Sequence, residues 1–189
     1  MTNNSLTQLI LDHSDDQELL ERFQKSIETE HINKGETVLK EGETSNKLYF
    51  IEQGLMRSFY MRDYKEVTCW FAFEGEHITG IDSFFQRTPS KYGIEAIEDS
   101  LVNSISYDVM NEFLDQFHSF ERIVRLVLTG AYFDLVDRVE MLQFLTTHER
   151  YEKIAELKPS LLHRAPLGQI ASYLGMTQET LSRIRGIKN

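Results

Sequence analysis

The sequence has a single cysteine, three prolines and no long hydrophobic run. One cysteine, Cys69, cannot form an intrachain disulfide or a thiolate cluster for zinc or iron–sulfur binding. The six histidines show no ligand spacing, so we expect no metal site. No apolar run reaches the roughly 18 residues of a membrane-spanning helix, and the start MTNNSLTQLILDHSDDQ is unlike a signal peptide. These absences favour a cytoplasmic protein without a membrane partner.

Motifs of the common enzyme classes are also missing. The sequence contains no phosphate-binding loop, Rossmann fingerprint, G-x-S-x-G turn or paired-carboxylate motif. No nucleophile and base stand in a recognisable arrangement, which argues against an enzyme. Cys69 lies in the strand-like run EVTCWFAF, where a buried structural thiol is the simpler interpretation.

The stretch IASYLGMTQETLSRIR, residues 170–185, has the spacing of two short packed helices. Ala171 is the small residue at the approach of the two backbones, and Gly175 provides the left-handed turn. Pro166 suits the first turn of the first helix, and Thr177 suits the N-cap of the second. The apolar positions that would lock the helices together are Ile170, Leu174, Met176, Leu181 and Ile184. This pattern predicts a helix-turn-helix.

The second helix carries polar side chains on the faces that the locking residues leave free. Side chains of these types hydrogen-bond base edges and phosphates in DNA. The candidate DNA-binding residues are therefore Thr177, Gln178, Glu179, Thr180, Ser182, Arg183 and Arg185. A helical hairpin with ordinary solvated polar residues is the competing interpretation, which the number of matched positions disfavours.

The net charge of −10 is unevenly distributed along the chain. From residue 149 onward there are seven basic and four acidic residues, which gives this end +3 and leaves −13 for the rest. A locally basic end suits phosphate contact, and an acidic remainder suppresses indiscriminate nucleic-acid binding. The overall acidity is therefore compatible with DNA binding.

The rest of the chain changes pattern twice. Residues 5–30 have helical spacing, and residues 31–107 contain short strand-like runs separated by glycines, which is typical of a small β barrel or roll. From residue 108 the chain is helical. The segment 119–146 has apolar residues on more than one face, so it must be buried against more than one surface. We favour a helix shared between its own β domain and a second copy; a core helix of a monomer is the alternative.

A β roll, a long helix and a helix-turn-helix in this order resemble the Crp/Fnr family of transcriptional regulators. The resemblance rests on KGETVLKEGETSNKLYFIEQGLMRSFY near the start and on RYEKIAELKPSLL with PLGQIASYLGMTQETLSRIR at the end. It implies an α+β fold with a jelly-roll-like β roll (a double-stranded β-helix) of the cyclic-nucleotide-binding type as the sensor domain. The sensor domain would span residues 1–118, the dimerisation helix 119–146 and the helix-turn-helix DNA-binding domain 147–189.

The resemblance also implies how such a protein would act. A homodimer would place two second helices on a palindromic operator, with RNA polymerase as a further partner. Gln178, Glu179 and Arg183 would occupy the base-reading positions, while Thr177, Thr180 and Ser182 would contact phosphates or support the reading. Only four residues follow Arg185, so we expect a short type without the β-hairpin wing. The alternative function is a ligand-binding module whose helical tail docks a protein partner.

The segment ITGIDSFFQRTPSKYGIEAIE matches the place where cyclic-nucleotide-binding relatives hold the ribose and phosphate. The expected glycine is present, but Ile81 replaces the glutamate and the arginine position falls near Ser90. Arg87 or Lys91 could supply the cation instead, and Asp82 the ribose acceptor. The candidate effector-binding residues are therefore Gly80, Ile81, Asp82, Arg87, Ser90 and Lys91. We expect no cofactor, no conventional cyclic AMP response, and either a different small-molecule effector or none.

Overall fold

The computed structural model describes the backbone of residues 5–187 and the side chains of residues 7–186. Its helices, in chain order, are α1 (Ser5–His13), α2 (Gln17–Ser26), α3 (Ile81–Gln86), α4 (Tyr107–Gln116), α5 (His118–Phe144), α6 (Thr147–Leu157), α7 (Leu161–Arg164), α8 (Leu167–Tyr173) and α9 (Gln178–Ile187). Its strands are β1 (Glu28–Ile32), β2 (Thr37–Leu39), β3 (Lys47–Gln53), β4 (Met56–Arg62), β5 (Lys65–Ala72), β6 (His77–Ile78), β7 (Gly93–Ala96) and β8 (Ser100–Ser106).

The strands form two antiparallel sheets that face each other. One sheet has the order β1-β8-β3-β6 and the other the order β2-β7-β4-β5. Neighbours in a sheet are mostly not neighbours in sequence, because the chain crosses repeatedly between the two sheets, as in a roll. The inner faces meet in a buried cluster that includes Ile32, Leu39, Ile51, Met56, Ile94 and Val102. The β roll predicted from the sequence is confirmed.

A second buried cluster joins the other face of the first sheet to helices α1, α2 and α4 and to the start of α5. Its centre is formed by Phe23, Phe113 and Phe120, whose ring centroids lie 5.5 to 5.6 Å apart. Leu48 of β3 and Ile105 of β8 project into this cluster from the sheet. The long helix α5 is therefore fixed to the roll at its N-terminal end.

Helix α5 leaves the roll after its first turns and exposes large apolar side chains further along. Leu128, Tyr132, Leu135 and Val139 follow one another at helical spacing and are 39 to 63% exposed. Residues at such intervals share one face of a helix. We call these four residues the α5 stripe. A continuous row of exposed apolar side chains is unusual on a monomer, so the stripe has the character of an interface.

Helices α6 to α9, which we call the tail, pack back onto the roll of the same chain. One buried cluster combines Leu55, Phe71 and Ile97 of the roll with Met141, Tyr151, Ile154, Leu161, Ile170, Ala171, Tyr173, Leu174, Leu181 and Ile184. The division into separate domains at residues 118 and 146 stays a prediction, since this shared cluster joins roll and tail. Among the described residues, no helix combines the length and the apolar character needed to cross a membrane.

Candidate nucleic-acid interface and ligand cavity

Helices α8 and α9 form a packed pair joined by a tight turn. Gly175 has φ of +66°, the left-handed conformation that a glycine adopts without steric cost. The Met176 N–H donates to the Ala171 carbonyl over 3.0 Å and closes the turn. Leu181 and Ile184 of α9 are buried in one cluster with Ile170 of α8. The helix-turn-helix therefore lies where the spacing of the sequence predicts it.

The start of α9 is held by side chains of its own first turn. The Thr177 hydroxyl accepts a hydrogen bond from the Thr180 N–H over 3.2 Å, which is the predicted N-cap. The pKa of the Glu179 carboxyl is lowered because its own backbone N–H and the Thr177 hydroxyl donate to it. A carboxylate in the first turn also complements the helix dipole. These contacts fix the end of α9 that would approach DNA.

The predicted DNA-binding residues lie on α9 and in the turn before it, and we call these seven residues the α9 face. Five of the seven are exposed, namely Thr177, Gln178, Glu179, Ser182 and Arg183, and the other two, Thr180 and Arg185, are half-buried. Gln178 lies against Gly168 of α8. A Cβ added at Gly168 would come within 2.9 Å of the Gln178 amide oxygen. Arg183 donates over 3.4 Å to the Glu179 carbonyl and to no other group among the described residues. The α9 face is thus polar and open to solvent.

Several basic residues of the tail are already engaged inside the molecule. Arg150 donates to three backbone carbonyls, those of Leu142, Leu145 and Leu174. Lys158 pairs with Glu76 over 2.8 Å, and Arg164 pairs with glutamates of the roll. The net charge of +3 therefore overstates the positive charge available to DNA. Lys188, for which we expect a phosphate contact, lies outside the described residues.

The unpaired cations of the tail are few. Lys153, Arg183 and Arg185 make no ion pair within the part of the chain that the structure describes. Two of the three lie on α9 itself, beside the predicted base-reading residues. A count of charges in the sequence could not separate these cations from Lys158 and Arg164. The partners of those two residues, Glu74, Glu76 and Glu98, are distant in sequence.

Tail and roll are joined by a polar interface around Arg164. Its guanidinium lies 2.7 Å from Glu74 and 2.6 Å from Glu98. The hydrogen bonds from Arg164 lower the pKa of the Glu74 carboxyl to about 2. The Ser172 hydroxyl of α8 accepts from the Thr68 N–H of β5 over 3.1 Å. The helix-turn-helix is therefore held in one orientation on its own roll.

The predicted effector-binding segment is used mainly for folding. Arg87 donates over 2.7 Å to the Ser45 carbonyl, donates to the Asn46 side chain, and lies 4.0 Å from the Tyr107 ring centroid. Lys91 is exposed on the surface. Neither cation is among the residues that line the cavity described below. Hydrogen bonds to neighbouring loops therefore engage Arg87, and the assignment of either cation to a ligand stays a prediction.

The other four residues of that segment divide between structure and cavity. Ser90 is buried and donates to the Tyr92 carbonyl over 2.9 Å. Gly80 is needed for close packing, since a Cβ there would come within 2.9 Å of the Ser90 hydroxyl. Asp82 accepts from the N–H of the next residue in α3. Ile81 alone of the six candidates lines the cavity.

A cavity of about 740 Å³ lies between the roll and α5. Small-molecule sites in proteins commonly have volumes of roughly 300–1,000 Å³ and mostly apolar walls. Trp70 and Ile78 contribute from the roll, and Leu128 and Ala131 from α5. The sequence did not predict that α5 residues line a cavity. Only the folded structure shows which face of that helix lies opposite the roll.

Cys69 lines the same cavity as a half-buried thiol. Its Sγ lies 3.8 Å from the Val67 carbonyl. Burial raises the pKa of this thiol to about 11, so it stays protonated at neutral pH. A protonated thiol is a poor nucleophile and a poor metal ligand. This chemistry agrees with the structural role predicted for it.

Comparisons with known proteins agree with this architecture. Residues 29–117 match the cyclic nucleotide-binding domain. The fumarate and nitrate reduction regulatory protein of Yersinia pestis is 23% identical, over 96% of this chain and 77% of its own length. Electron transport regulator A of Shewanella oneidensis is 25% identical, over 82% of this chain and 66% of its own length.

Solved structures show the same fold. The structure of FixK2 from Bradyrhizobium japonicum superimposes with a TM-score of 0.70 at 22% identity, covering 85% of this chain and 83% of that one. The c-di-GMP responsive global regulator CLP of Xanthomonas campestris gives 0.68 at 18% identity, covering 92% of each chain. These structures share the order of roll, long helix and C-terminal helices with this chain. Residues 29–117 belong to the cyclic nucleotide-binding domain family, and the chain as a whole is similar to Crp/Fnr transcriptional regulators.

Proposed function

We propose that this protein is a homodimeric transcription regulator that reads a palindromic DNA operator through α9. The observation that carries the proposal is the α9 face, which is polar, exposed and fixed on a buried apolar pair. The recognition helix of a helix-turn-helix enters the major groove with residues near its N-terminus. Gln178 and Glu179 stand at that end of α9, and Arg183 lies one turn further along.

Arg183 is the residue we assign to base recognition. A guanidinium can donate two parallel hydrogen bonds to the O6 and N7 atoms of guanine in the major groove. Its exposed position and its single long bond to the Glu179 carbonyl leave most of its donors available. Thr177, Thr180 and Ser182 surround it as auxiliary or phosphate contacts. Arg183 therefore supplies specificity, and the hydroxyl side chains supply register.

The α5 stripe supports the dimer. Leu128, Tyr132, Leu135 and Val139 remain 39 to 63% exposed in the described part of the chain. Two parallel copies of α5 would bury these side chains against each other. The two-fold axis would then set two copies of α9 about one helical turn of DNA apart, roughly 34–36 Å, which demands a palindrome. RNA polymerase would be the partner of the DNA-bound dimer.

Selection of bound DNA from a random pool tests this function. The expected result is a palindrome whose half-site centres are about one helical turn apart. The affinity for the selected site should fall with salt concentration, because phosphate contacts release counterions. With few unpaired cations on the tail, we expect a shallow salt dependence. No recovered motif and no salt-dependent binding would favour a tail that docks a protein partner.

The roll is proposed to sense a small molecule other than cyclic AMP. The reason is that Arg87 and Lys91, the two substitute cations of the cyclic-nucleotide segment, do not face the cavity. Calorimetry with cyclic AMP and cyclic GMP should show no micromolar binding. Micromolar binding that disappears in Arg87→Ala or Lys91→Ala would contradict this proposal and identify the cation.

A further inference from the structure

The hairpin between β4 and β5 ends in a turn of two residues. The two strands pair as far as Arg62 and Lys65, so the turn consists of Asp63 and Tyr64. Both turn residues have positive φ, +50° and +61°, which is the geometry of a tight two-residue hairpin. We call residues 62–65 the hairpin tip. Because the turn is this short, the position of the tip follows that of the two strands.

Strand β5 lies against α8 on its way to the tip. Phe71 packs edge-on against Tyr173, with ring centroids 5.2 Å apart. Three residues nearer the tip, the Thr68 N–H donates to the Ser172 hydroxyl over 3.1 Å. Lys65 follows after three more residues, about 10 Å at the usual rise of a strand. The packing of β5 on α8 therefore fixes the hairpin tip relative to the helix-turn-helix.

Lys65 is close to the start of α9. Gln178, the first residue of α9, lies against Gly168 in the first turn of α8. The pKa of the neighbouring Glu179 carboxyl is lowered mainly by its own backbone N–H and the Thr177 hydroxyl, and further by the positive charge of Lys65. The hairpin tip therefore lies beside the end of α9 that would enter the major groove.

The fold places two cations directly opposite each other at the tip. Arg62 and Lys65 are cross-strand partners, and both are exposed. Like charges in this arrangement destabilise a hairpin. Glu66 does not offset them, because it pairs with the buried Arg57, and the Asp63 carboxylate, 3.9 Å from Arg62, is 93% exposed. Lys65 forms no ion pair with any residue that the structure describes, so it is available to an anion from outside the chain.

Tyr64 is an unusual residue for its place in the turn. Its side chain is fully exposed, so it gains no packing energy. A bulky residue rarely has positive φ, and glycine is the preferred residue at this turn position. The tyrosine hydroxyl is one of the groups that hydrogen-bond DNA phosphates. Tyr64 thus lowers the stability of the turn but provides a donor beside Lys65.

We propose that the hairpin tip is a second DNA contact, in which Lys65 and Tyr64 bind the phosphate backbone beside the half-site that α9 reads. The first helix of a helix-turn-helix crosses the backbone, while the second enters the major groove. Strand β5 lies against that first helix, which is why we assign the tip to phosphates and not to bases. The inference rests on the proposed DNA-binding function and adds a cation where the tail supplies few.

The salt dependence of DNA binding tests the role of Lys65. Lys65→Gln should make the plot of log association constant against log salt concentration less steep by about 0.9 for each lost phosphate contact, or about 1.8 for a dimer. At about 0.1 M salt the affinity should fall roughly tenfold or more. The loss should be similar for the selected operator and for random DNA, because phosphates carry no sequence information. Lys65→Arg keeps the charge and should stay within about threefold of wild type.

Lys40→Gln is the matched control. Lys40 is an exposed lysine that follows β2, and β2 and β5 are the opposite edges of one sheet. This variant loses the same charge and should keep the affinity and the salt slope of the wild type. A loss equal to that of Lys65→Gln would show that only the net charge matters and would overturn the proposal.

Tyr64→Gly separates DNA binding from stability. Glycine relieves the positive φ, so the melting temperature should rise. The affinity for both DNAs should nevertheless fall about threefold or more, because the phosphate loses a donor. A more stable protein that binds DNA less tightly cannot be explained by misfolding. A rise in melting temperature without a loss of affinity would overturn the role of Tyr64.

The remaining outcomes separate this inference from the proposed function. An operator that is recovered while Lys65→Gln keeps its salt slope removes the hairpin tip and leaves the proposed function. A loss confined to the selected operator would show that Lys65 acts by positioning Glu179, and it also overturns the phosphate contact. Unchanged DNA binding with lost transcription activation would assign the tip to a protein partner instead. No operator and no salt-dependent binding would remove both proposals.

Discussion

The α9 face and the segment at residues 80–91 have similar polar side chains, but the fold uses them differently. Arg87 is bound to the Ser45 carbonyl and to Asn46 and lies over the Tyr107 ring. Arg183 has one long hydrogen bond to its own helix and is otherwise solvated. The first arginine stabilises the roll, and the second is available to a partner. An arginine in a motif is thus a binding residue only where the fold leaves its donors free.

The same distinction holds within the basic tail. Arg150, Lys158 and Arg164 connect helices to each other or to the roll. Arg183 and Arg185 make no ion pair among the described residues. Positive charge on this tail therefore has two separate purposes, internal attachment and external recognition. The variants below test whether these purposes can be separated.

The largest loss of operator affinity is expected when the proposed dimer is broken, because the two α9 faces are then no longer linked. Leu128→Glu combined with Leu135→Glu places charges on the α5 stripe and should yield monomers in sedimentation. Two half-sites bound by linked subunits gain about 10²–10⁴ in affinity over independent ones. Operator affinity should therefore fall at least a hundredfold. Both residues also line the cavity, so Val139→Glu, which lies on the stripe outside it, should give the same result.

Phe133→Glu is the matched control for the dimer. Phe133 is 62% exposed on α5 but does not belong to the stripe. It should leave the sedimentation coefficient and the operator affinity unchanged. A wild type that is already monomeric at micromolar concentration would refute the dimer and leave the stripe without its proposed partner.

Removing the free arginine should affect specificity more than stability. Arg183→Ala should cost about 1–3 kcal/mol of binding per half-site and relax the preference at one base pair. Its melting temperature should match that of the wild type, since the side chain contacts little. Lys188→Ala, by comparison, should weaken all sequences alike. Full affinity with unchanged sequence preference in Arg183→Ala would rule out base recognition by this residue.

Removing Arg87, which is hydrogen-bonded within the roll, should lower stability and leave DNA binding unchanged. Arg87→Gln loses three hydrogen bonds and a ring contact, which should cost about 1–2 kcal/mol of unfolding free energy. For a chain of this size that corresponds to roughly 2–8 °C in the melting temperature. Operator affinity at 20 °C should be unchanged. Lys91→Gln, an exposed neighbour, is the control that should alter neither quantity, and a stable Arg87→Gln would show that the roll does not depend on it.

The parts of the fold that the sequence predicts well are those set by local spacing. Gly175 and Leu181 stand a few residues apart in the same motif, so their positions define the helix pair without knowledge of the roll. The β roll follows from alternating short runs and glycines. The set of residues that line the cavity does not follow from the sequence, because Arg138 and Trp70 line it together although they are far apart along the chain. Likewise, nothing near Arg164 in sequence reveals that Glu74 and Glu98 engage it.

The smallest effect is expected at the contact that attaches the tail to the roll. Glu74→Gln removes one ion pair from Arg164 while Glu98 still holds it. Because the Glu74 side chain is 45% exposed, the loss should be at most about 1 kcal/mol at pH 7, or roughly 2–4 °C in melting temperature. Glu41→Gln, an exposed glutamate elsewhere, is the control and should melt with the wild type.

The pH dependence distinguishes an ion pair at Glu74 from simple packing. Its pKa is lowered to about 2 in the folded protein, from an ordinary value of 4.5. A lowered carboxyl pKa means that the unfolded chain binds the proton more tightly, so the stabilisation is complete above pH 4.5 and is lost as the pH falls toward 2. The difference between wild type and Glu74→Gln should therefore be constant from pH 7 to about 5 and narrow between pH 4.5 and 3. A difference that stays constant throughout this range would show that Glu74 acts through its shape and not through its charge, and that Arg164 depends on Glu98 alone.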